Sequence, residues 1–189
     1  AVLMNIMNDI GALPTRNHRA SQFEDAESIS GEALRDRFLV KGASCWACPI
    51  GCTRVCVTGK IAREGPEYET TWAFGAQCGI GDLEAILEAN SACNDLGLDM
   101  WFRLVMQPWF QRCRQLGIRA IRGHPLEPED AAWLHAFMEQ LARRQGLGGL
   151  FADDLMRAMD ELEGELPAEL IALGRELEFG FGLPAHREG

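Results

Sequence analysis

The feature that most constrains this chain is a run of cysteines with the spacing C-x2-C-x3-C-x3-C. Its members are Cys45, Cys48, Cys52 and Cys56. Thiolates bind soft metal ions and iron–sulfur clusters, and such close spacing lets one loop supply several ligands. Pro49 and Gly51 favour a tight backbone whose amide N–H groups can point at sulfur. The pattern therefore predicts a metal or iron–sulfur site built by a single segment.

The spacing alone leaves more than one kind of site open. An iron–sulfur cluster is the interpretation that we favour, and Cys56 is the nearest candidate for a fourth ligand. Structural zinc and buried free thiols are the alternatives, although zinc sites usually pair two short motifs across a longer separation. The chain has seven cysteines, an odd number, so a complete set of internal disulfides is excluded. This cysteine usage suits a reducing compartment.

The composition limits the expected partners. The 189 residues are 47% hydrophobic and 24% charged, and the net charge is −10. Phosphate binding needs concentrated Lys and Arg, so nucleic acid is not an expected partner. No apolar run is long enough to cross a bilayer, and residues 1–11 lack the basic start of a signal peptide, so we expect a cytoplasmic protein with no membrane partner. The missing initiator Met indicates that the chain begins inside a longer protein.

Hydrophobic spacing in the first half predicts mainly α-helix. Helices are expected in three places: over residues 1–10, from Ser30 as N-cap through Phe38, and from Asp82 as N-cap to Gly97. The stretch 55–61 is rich in β-prone residues, so a short β-hairpin is expected near 53–62.

The second half is also expected to be helical. The apolar run 101–116 predicts a helix that Pro108 ends or kinks. Pro128 is placed to begin another helix with a four-spaced apolar stripe of Trp133, Phe137 and Leu141. We expect glycines to close that helix, residues 150–162 to form the next one, and the Gly-rich end to be irregular; the closing glycines are Gly146, Gly148 and Gly149.

The segments around the cysteines carry a family resemblance. They read GALPTRN at 11–17, ISGE at 29–32, CWACPIGC at 45–52, GPEYET at 65–70, WAFG at 72–75 and ANSACNDLGLD at 89–99. In this order and with these separations they resemble the aldehyde:ferredoxin oxidoreductase family. The resemblance is strong over residues 1–99 and looser over 100–189, where RRQGLG at 143–148 and LPAH at 183–186 are similar.

The resemblance implies a tungsten (or molybdenum) ion held by two pterins, beside a [4Fe–4S] cluster that passes electrons to ferredoxin. It implies that Cys45, Cys48 and Cys52 are cluster ligands, whereas the fourth ligand is a cysteine far downstream. The chain would then be one partial, mainly α-helical domain, an internal fragment without the N-terminal pterin domain and the C-terminal part. Its regions would be a cluster-binding segment at 43–56, the helix of the first pterin motif at 82–99 and a divergent helical part at 100–189.

Further site residues follow from the same resemblance. Glu69 matches the family's glutamate beside tungsten and would exchange protons with water or substrate. The first pterin motif matches Asn94, Gly97, Leu98 and Asp99, with Asn94 replacing an Asp of the family pattern. His186 is a candidate for proton transfer. Glu88 lies where some members bind a mononuclear iron at a dimer interface, but a solvated helix carboxylate is the interpretation that we prefer.

The expected function is the oxidation of a small aldehyde to a carboxylate, with ferredoxin or another low-potential carrier as partner and a homodimer as the assembly. One alternative is the tungsten subunit of an ATP-independent benzoyl-CoA reductase, which acts on an aryl substrate. Another is a non-catalytic module that binds a cluster or zinc, because the chain lacks the pterin domain. Whether the parent enzyme is an aldehyde oxidoreductase or a benzoyl-CoA reductase, the fragment alone is expected to be inactive.

Overall fold

The computed structural model describes residues 3–126 and 131–180. The chain divides into two compact units, Ala1–Asp95 and Leu96–Gly189. Within the described residues, nine helices and two small antiparallel sheets account for the regular structure. The predicted mainly α-helical fold with a short β-hairpin is therefore confirmed.

The first unit surrounds a three-stranded sheet with helices. Its elements in chain order are α1 (Leu3–Asp9), α2 (Gly31–Arg37), β1 (Leu39–Ala43), β2 (Thr53–Thr58), β3 (Ile61–Glu64), α3 (Tyr68–Phe74) and α4 (Leu83–Leu96). The Ser30 hydroxyl accepts a hydrogen bond from the Ala33 N–H at 3.1 Å, as expected for the predicted cap of α2. Asp82 accepts from the Glu84 N–H at 3.0 Å and so begins α4.

The sheet contains the predicted hairpin and one strand that was not predicted. Strands β2 and β3 pair antiparallel from Val55 opposite Glu64 to Thr58 opposite Ile61. Strand β1 pairs with the other edge of β2, so the order is β1-β2-β3. The helix expected to run through Phe38 ends at Arg37, and the chain then enters β1. The middle residues of β1 are exposed, so the sequence there has no alternation of apolar and polar residues to indicate a strand.

The second unit packs helices around an aromatic core. Its elements are α5 (Trp101–Gln115), β4 (Ala120–Ile121), β5 (His124–Pro125), α6 (Ala131–Arg143), α7 (Gly146–Phe151), α8 (Leu155–Leu162) and α9 (Ala168–Gly180). The Phe110 ring lies edge-on to Phe137 and Phe151, with centroids 5.4 and 5.3 Å apart. The buried Trp109 donates its ring N–H to the Leu170 carbonyl at 2.9 Å, which joins α5 to α9.

The predicted stripe on α6 faces this core. Phe137 and Leu141 are buried, and Trp133 stacks on Phe137 with ring centroids 4.9 Å apart. Pro128, expected to begin the helix, lies outside the described residues. Helix α5 continues through Pro108 rather than ending there. The proline costs one backbone hydrogen bond, but burial of the following Trp109 and Phe110 favours continuation.

Two predictions for the second unit were wrong. The glycines of 146–149 do not close a helix; they begin α7, because their lack of side chains lets α7 approach the end of α6 closely. A Cβ on Gly148 would collide with the backbone of Gln140 and Leu141. The Gly-rich end of the chain was expected to be irregular, but Ala168–Gly180 form α9, which buries Leu170 and Ile171. Residues 181–189 lie outside the described part of the chain.

Among the residues that the structure describes, no helix is long and apolar enough to span a membrane.

The contact between α6 and α7 makes a stability prediction. The substitution Gly148→Ala should lower the free energy of unfolding by about 1–3 kcal/mol, because the added methyl group overlaps backbone that cannot rotate away. Urea unfolding followed by far-UV circular dichroism measures the change. Gly42→Ala is the control, since an added Cβ there meets nothing within 4 Å. An unchanged midpoint for Gly148→Ala would show that α7 does not pack this closely on α6.

Candidate metal and cofactor site

Cys45, Cys48 and Cys52 lie on one loop, residues 44–52, which connects β1 to β2 and is called the cysteine loop below. The last strand pair, Ala43 opposite Thr53, holds the two ends of the loop together. Within the loop, the Cys48 N–H donates to the Cys45 carbonyl at 3.1 Å. The cysteine loop is therefore the closed end of a β-hairpin.

Two residues of the cysteine loop have a left-handed backbone conformation. Ala47 and Gly51 have φ angles of 57° and 63°, in the region that non-glycine residues adopt less readily. Ala47 lies between Cys45 and Cys48, and Gly51 lies just before Cys52. These two positions change the direction of the backbone between successive cysteines.

The thiols of the cysteine loop are accessible. Cys45 and Cys52 are exposed, Cys48 is half-buried, and none forms a disulfide. The large apolar side chains between them face solvent, with Trp46 99% and Ile50 79% exposed. Within residues 3–126 and 131–180, no three Cys, His, Asp or Glu side chains converge to form a ready metal site. The donors thus fit an iron–sulfur cluster in chemistry and accessibility, and ligation would require the loop to close around the metal.

Cys56 lies apart from the other three cysteines. It is on β2 opposite Leu39, fully buried, and a Cβ on Gly65 would lie 2.7 Å from its sulfur. Burial raises the pKa of the Cys56 thiol, opposed only in part by the nearby charge of Arg54. Because the thiolate is the form that binds metals, this environment disfavours Cys56 as a ligand.

Glu69 lies in the first turn of α3 and lines a cavity of about 270 Å³ in the first unit. Apolar residues of α1, α2 and α4 line the same cavity, together with Arg54, Glu67 and Tyr68. Burial, and to a lesser extent the charge of Glu69, raises the pKa of Tyr68, so that phenol keeps its proton. Glu69 is an exposed residue at the edge of this cavity, and Tyr68, a hydrogen-bond donor, lines the same cavity.

The segment Glu64 to Glu67, called the 64–67 segment below, is fastened on two sides. From β2, Arg54 donates its Nη1 hydrogen to the Pro66 carbonyl at 2.8 Å and lies 3.0 Å from the Glu67 carboxylate. From α4, the buried Asn90 donates its Nδ2 hydrogen to the Glu64 carbonyl at 2.9 Å. The segment leads directly into α3 and Glu69.

The predicted pterin residues lie at the end of α4. Asn94 is an exposed residue of its last turn, and Gly97 follows with a φ of 67° and nothing within 4 Å of an added Cβ. Leu98 packs against the core of the second unit, and Asp99 is exposed. An amide such as that of Asn94 and a carboxylate such as that of Asp99 can each hydrogen-bond a pterin, and the role of these residues as pterin contacts stays a prediction. The spacing N-x2-G-L-D places Asn94 inside the helix and the other three residues after it.

Two other candidates have different outcomes. Glu88 is an exposed residue of α4. His186 lies outside the described residues, and its role as a proton-transfer group stays a prediction.

Sequence reasoning did not single out Arg54 or Asn90. Asn90 occupies a core-facing position on α4, in line with Leu83, Ile86 and Leu87, so a polar residue in an apolar stripe was an available signal. Arg54 had no such signal, because an arginine in a short strand is usually a solvated residue. Arg54 is half-buried because Gly65, the residue directly after the end of β3, lies against β2 with no side chain between them.

Comparison with known proteins gives a consistent result. The sequence model described as "Aldehyde ferredoxin oxidoreductase, domains 2 & 3" matches residues 1–179. The tungsten-containing aldehyde ferredoxin oxidoreductase of Pyrococcus abyssi is 37% identical over 171 residues, covering 87% of this chain and 28% of that protein. The protein of the same description from Thermococcus kodakarensis is 50% identical over 100 residues, covering 52% of this chain and 16% of that protein.

The enzyme of the same description from Pyrococcus furiosus is 37% identical over 166 residues, which cover 83% of this chain and 27% of that protein. The chain therefore spans little more than a quarter of the length of these two Pyrococcus proteins. The matched family model covers nearly all of the described residues, in both units. This chain belongs to the aldehyde ferredoxin oxidoreductase family.

Proposed function

We propose that this chain supplies iron–sulfur ligands and a proton-accepting carboxylate to a tungsten enzyme that oxidises aldehydes to carboxylates and passes electrons to ferredoxin. The observation that carries the proposal is the cysteine loop, whose three accessible thiols are held at the closed end of a hairpin in a member of this family. The relatives are described as tungsten-containing aldehyde ferredoxin oxidoreductases, which favours an aldehyde over an aryl thioester as substrate.

Each group of residues has a separate role in this proposal. Cys45, Cys48 and Cys52 would hold a [4Fe–4S] cluster as thiolate ligands. Asn94 and the 97–99 turn hydrogen-bond one pterin edge. When bound, the metal and the cluster supply the redox chemistry, in which two electrons leave the aldehyde. The fourth cluster ligand and the second pterin contact would come from the remainder of a longer protein.

Glu69 is the proposed proton acceptor. Converting an aldehyde and water to a carboxylic acid releases two protons with the two electrons. A carboxylate oxygen of Glu69, which lines the cavity, can accept a proton from water as the new C–O bond forms. The neighbouring Tyr68 keeps its proton, so it can donate a hydrogen bond to an oxygen of the substrate.

The proton role has a direct test in the full-length enzyme. Glu69→Gln should lower kcat for aldehyde-dependent dye reduction by about 10²–10⁴-fold, the usual contribution of general acid–base catalysis. Iron and tungsten contents should stay unchanged. Glu84→Gln is the matched control, because Glu84 also lies in the first turn of a helix and is exposed. Wild-type activity in Glu69→Gln would remove Glu69 from the mechanism.

The ligand assignment is tested by metal content. Anaerobic reconstitution of the full-length protein with iron and sulfide should give the absorbance and EPR signals of a [4Fe–4S] cluster, and Cys48→Ser should abolish ferredoxin reduction. Cys78→Ser, outside the cysteine loop, should leave both unchanged. Tight zinc binding without iron would instead favour the non-catalytic zinc module.

The two environments of the cysteines predict an order of chemical reactivity. In the apoprotein, iodoacetamide should label the cysteine-loop thiols first, because they are accessible, whereas Cys56 and Cys113 should label only after unfolding. Burial raises the pKa of Cys113 to about 12, so its thiolate is scarce at neutral pH. Mass spectrometry of tryptic peptides over a time course measures the order. Early labelling of Cys56 would restore it as a candidate ligand.

A further inference from the structure

We infer that Arg54 is a positioning residue that fixes Glu69 relative to the cysteine loop. The inference rests on the proposed function, because it takes Glu69 to be the proton acceptor and the cysteine loop to carry the cluster. Arg54 lies on β2, two residues after Cys52, and its side chain reaches the 64–67 segment that leads into α3. One side chain therefore connects the two parts of the site.

Three contacts tie Arg54 to this segment. Its backbone carbonyl accepts a hydrogen bond from the Gly65 N–H at 2.9 Å, which extends the β2–β3 pairing by one residue. Its Nη1 donates to the Pro66 carbonyl at 2.8 Å and lies 3.0 Å from Oε2 of Glu67. The Arg54 side chain is 25% exposed and the Glu67 side chain is 49% exposed, so the ion pair is partly open to water and the hydrogen bond to the Pro66 carbonyl is the better shielded contact.

Close packing makes the connection rigid. A Cβ on Gly65 would lie 3.1 Å from Cβ of Arg54, so no side chain separates the segment from the strand. Arg54 and Cys56 are two residues apart and lie on the same face of β2, the face that Gly65 covers. The 64–67 segment consequently cannot shift along β2 without breaking these contacts.

The same residues set the start of α3. Glu67 is the N-cap residue of α3, but its side chain makes no cap hydrogen bond and pairs with Arg54 instead. The Glu67 carbonyl accepts hydrogen bonds from the N–H and the hydroxyl of Thr71, each at 3.0 Å. Glu69 is two residues further on, so the direction of its side chain depends on how the first turn of α3 is held. A helix of seven residues has little stability of its own and takes its orientation from such contacts.

Arg54 lines the same cavity as Glu69, so a direct contact with substrate is the competing role. The two roles have different kinetic signatures. Loss of positioning lowers kcat with KM nearly unchanged, whereas loss of a substrate contact raises KM. Because Nη1 already serves the Pro66 carbonyl and the Glu67 carboxylate, positioning is the role that the geometry favours.

The test is a double-mutant cycle in the full-length holoenzyme, with kcat expressed per loaded tungsten and cluster. Arg54→Met should lower kcat by about 10–100-fold, as expected when a reacting group moves by a fraction of an ångström to an ångström. Arg54→Lys should recover part of the loss, because an ammonium group can still pair with Glu67. In a Glu69→Gln background, Arg54→Met should cause no further loss of kcat.

Arg63→Met is the matched control. Arg63 lies on β3, directly before the 64–67 segment, but its side chain contacts β2: its Nε donates to the Thr58 hydroxyl at 3.0 Å. This variant should leave kcat within about twofold of wild type, as for a substitution outside the site. EPR of the reduced cluster should give the same spin count in every variant.

The outcomes separate this inference from the proposed function. If Glu69→Gln loses activity but Arg54→Met keeps it, the positioning role is wrong and the proposed function stands. A raised KM at unchanged kcat, or a further loss of kcat in the double mutant, also overturns positioning. If Glu69→Gln retains wild-type activity, the proton role fails, and the inference about Arg54 fails with it.

Discussion

Fastening of the 64–67 segment between β2 and α4 is the constraint on which the first unit depends. Arg54 holds this segment from the strand, and Asn90 holds it from the helix. The cysteine loop precedes Arg54 on the chain, and Asn94 follows Asn90 on α4 by one helical turn. The cysteine loop, the first turn of α3 and the end of α4 are therefore all held in place through contacts with the 64–67 segment. Each anchor is a hydrogen bond to a backbone carbonyl of this segment, that of Pro66 for Arg54 and that of Glu64 for Asn90.

The two units differ in the kinds of side chain that they contain. The first unit carries the thiols of the cysteine loop, the cavity and Glu69, and its sheet is small and partly exposed. The second unit has an aromatic core in which Phe110 contacts the rings of Trp109, Phe137 and Phe151. Such a core stabilises a scaffold through burial and specific ring geometry rather than through polar chemistry. The predicted cluster ligands and Glu69 belong to the first unit, whereas Gly97, Leu98 and Asp99 of the predicted pterin motif belong to the second.

The parts of the fold that could be predicted were those with a strong local pattern. The cap of α2 at Ser30, the start of α4 at Asp82 and the hairpin near 53–62 each follow from a few adjacent residues. Strand β1 and helix α9 could not be predicted in this way. The first is mostly exposed, and the second depends on packing against residues distant in sequence, such as the contact of Trp109 with Leu170. The prediction for the glycines of α7 was wrong because a glycine indicates a close approach of backbones as readily as it indicates a helix end.

For the site, the spacing of the cysteines predicted the cysteine segment, and Glu69 was predicted from the family resemblance. Arg54 depends on tertiary contact alone.

The pairing of Ala43 with Thr53 has a consequence for how a cluster would be bound. Joining the ends of a flexible chain lowers its conformational entropy. In this hairpin the β1–β2 pairing already holds the ends of residues 44–52 together, so metal binding does not have to bring them together. The three thiols of the cysteine loop are confined to a small volume, so each experiences a high effective concentration of the others. A metal that binds one thiol would meet the next within the same loop. Affinity for the first ligands would then reflect the strength of β1–β2 pairing, so strand stability and metal retention would change together.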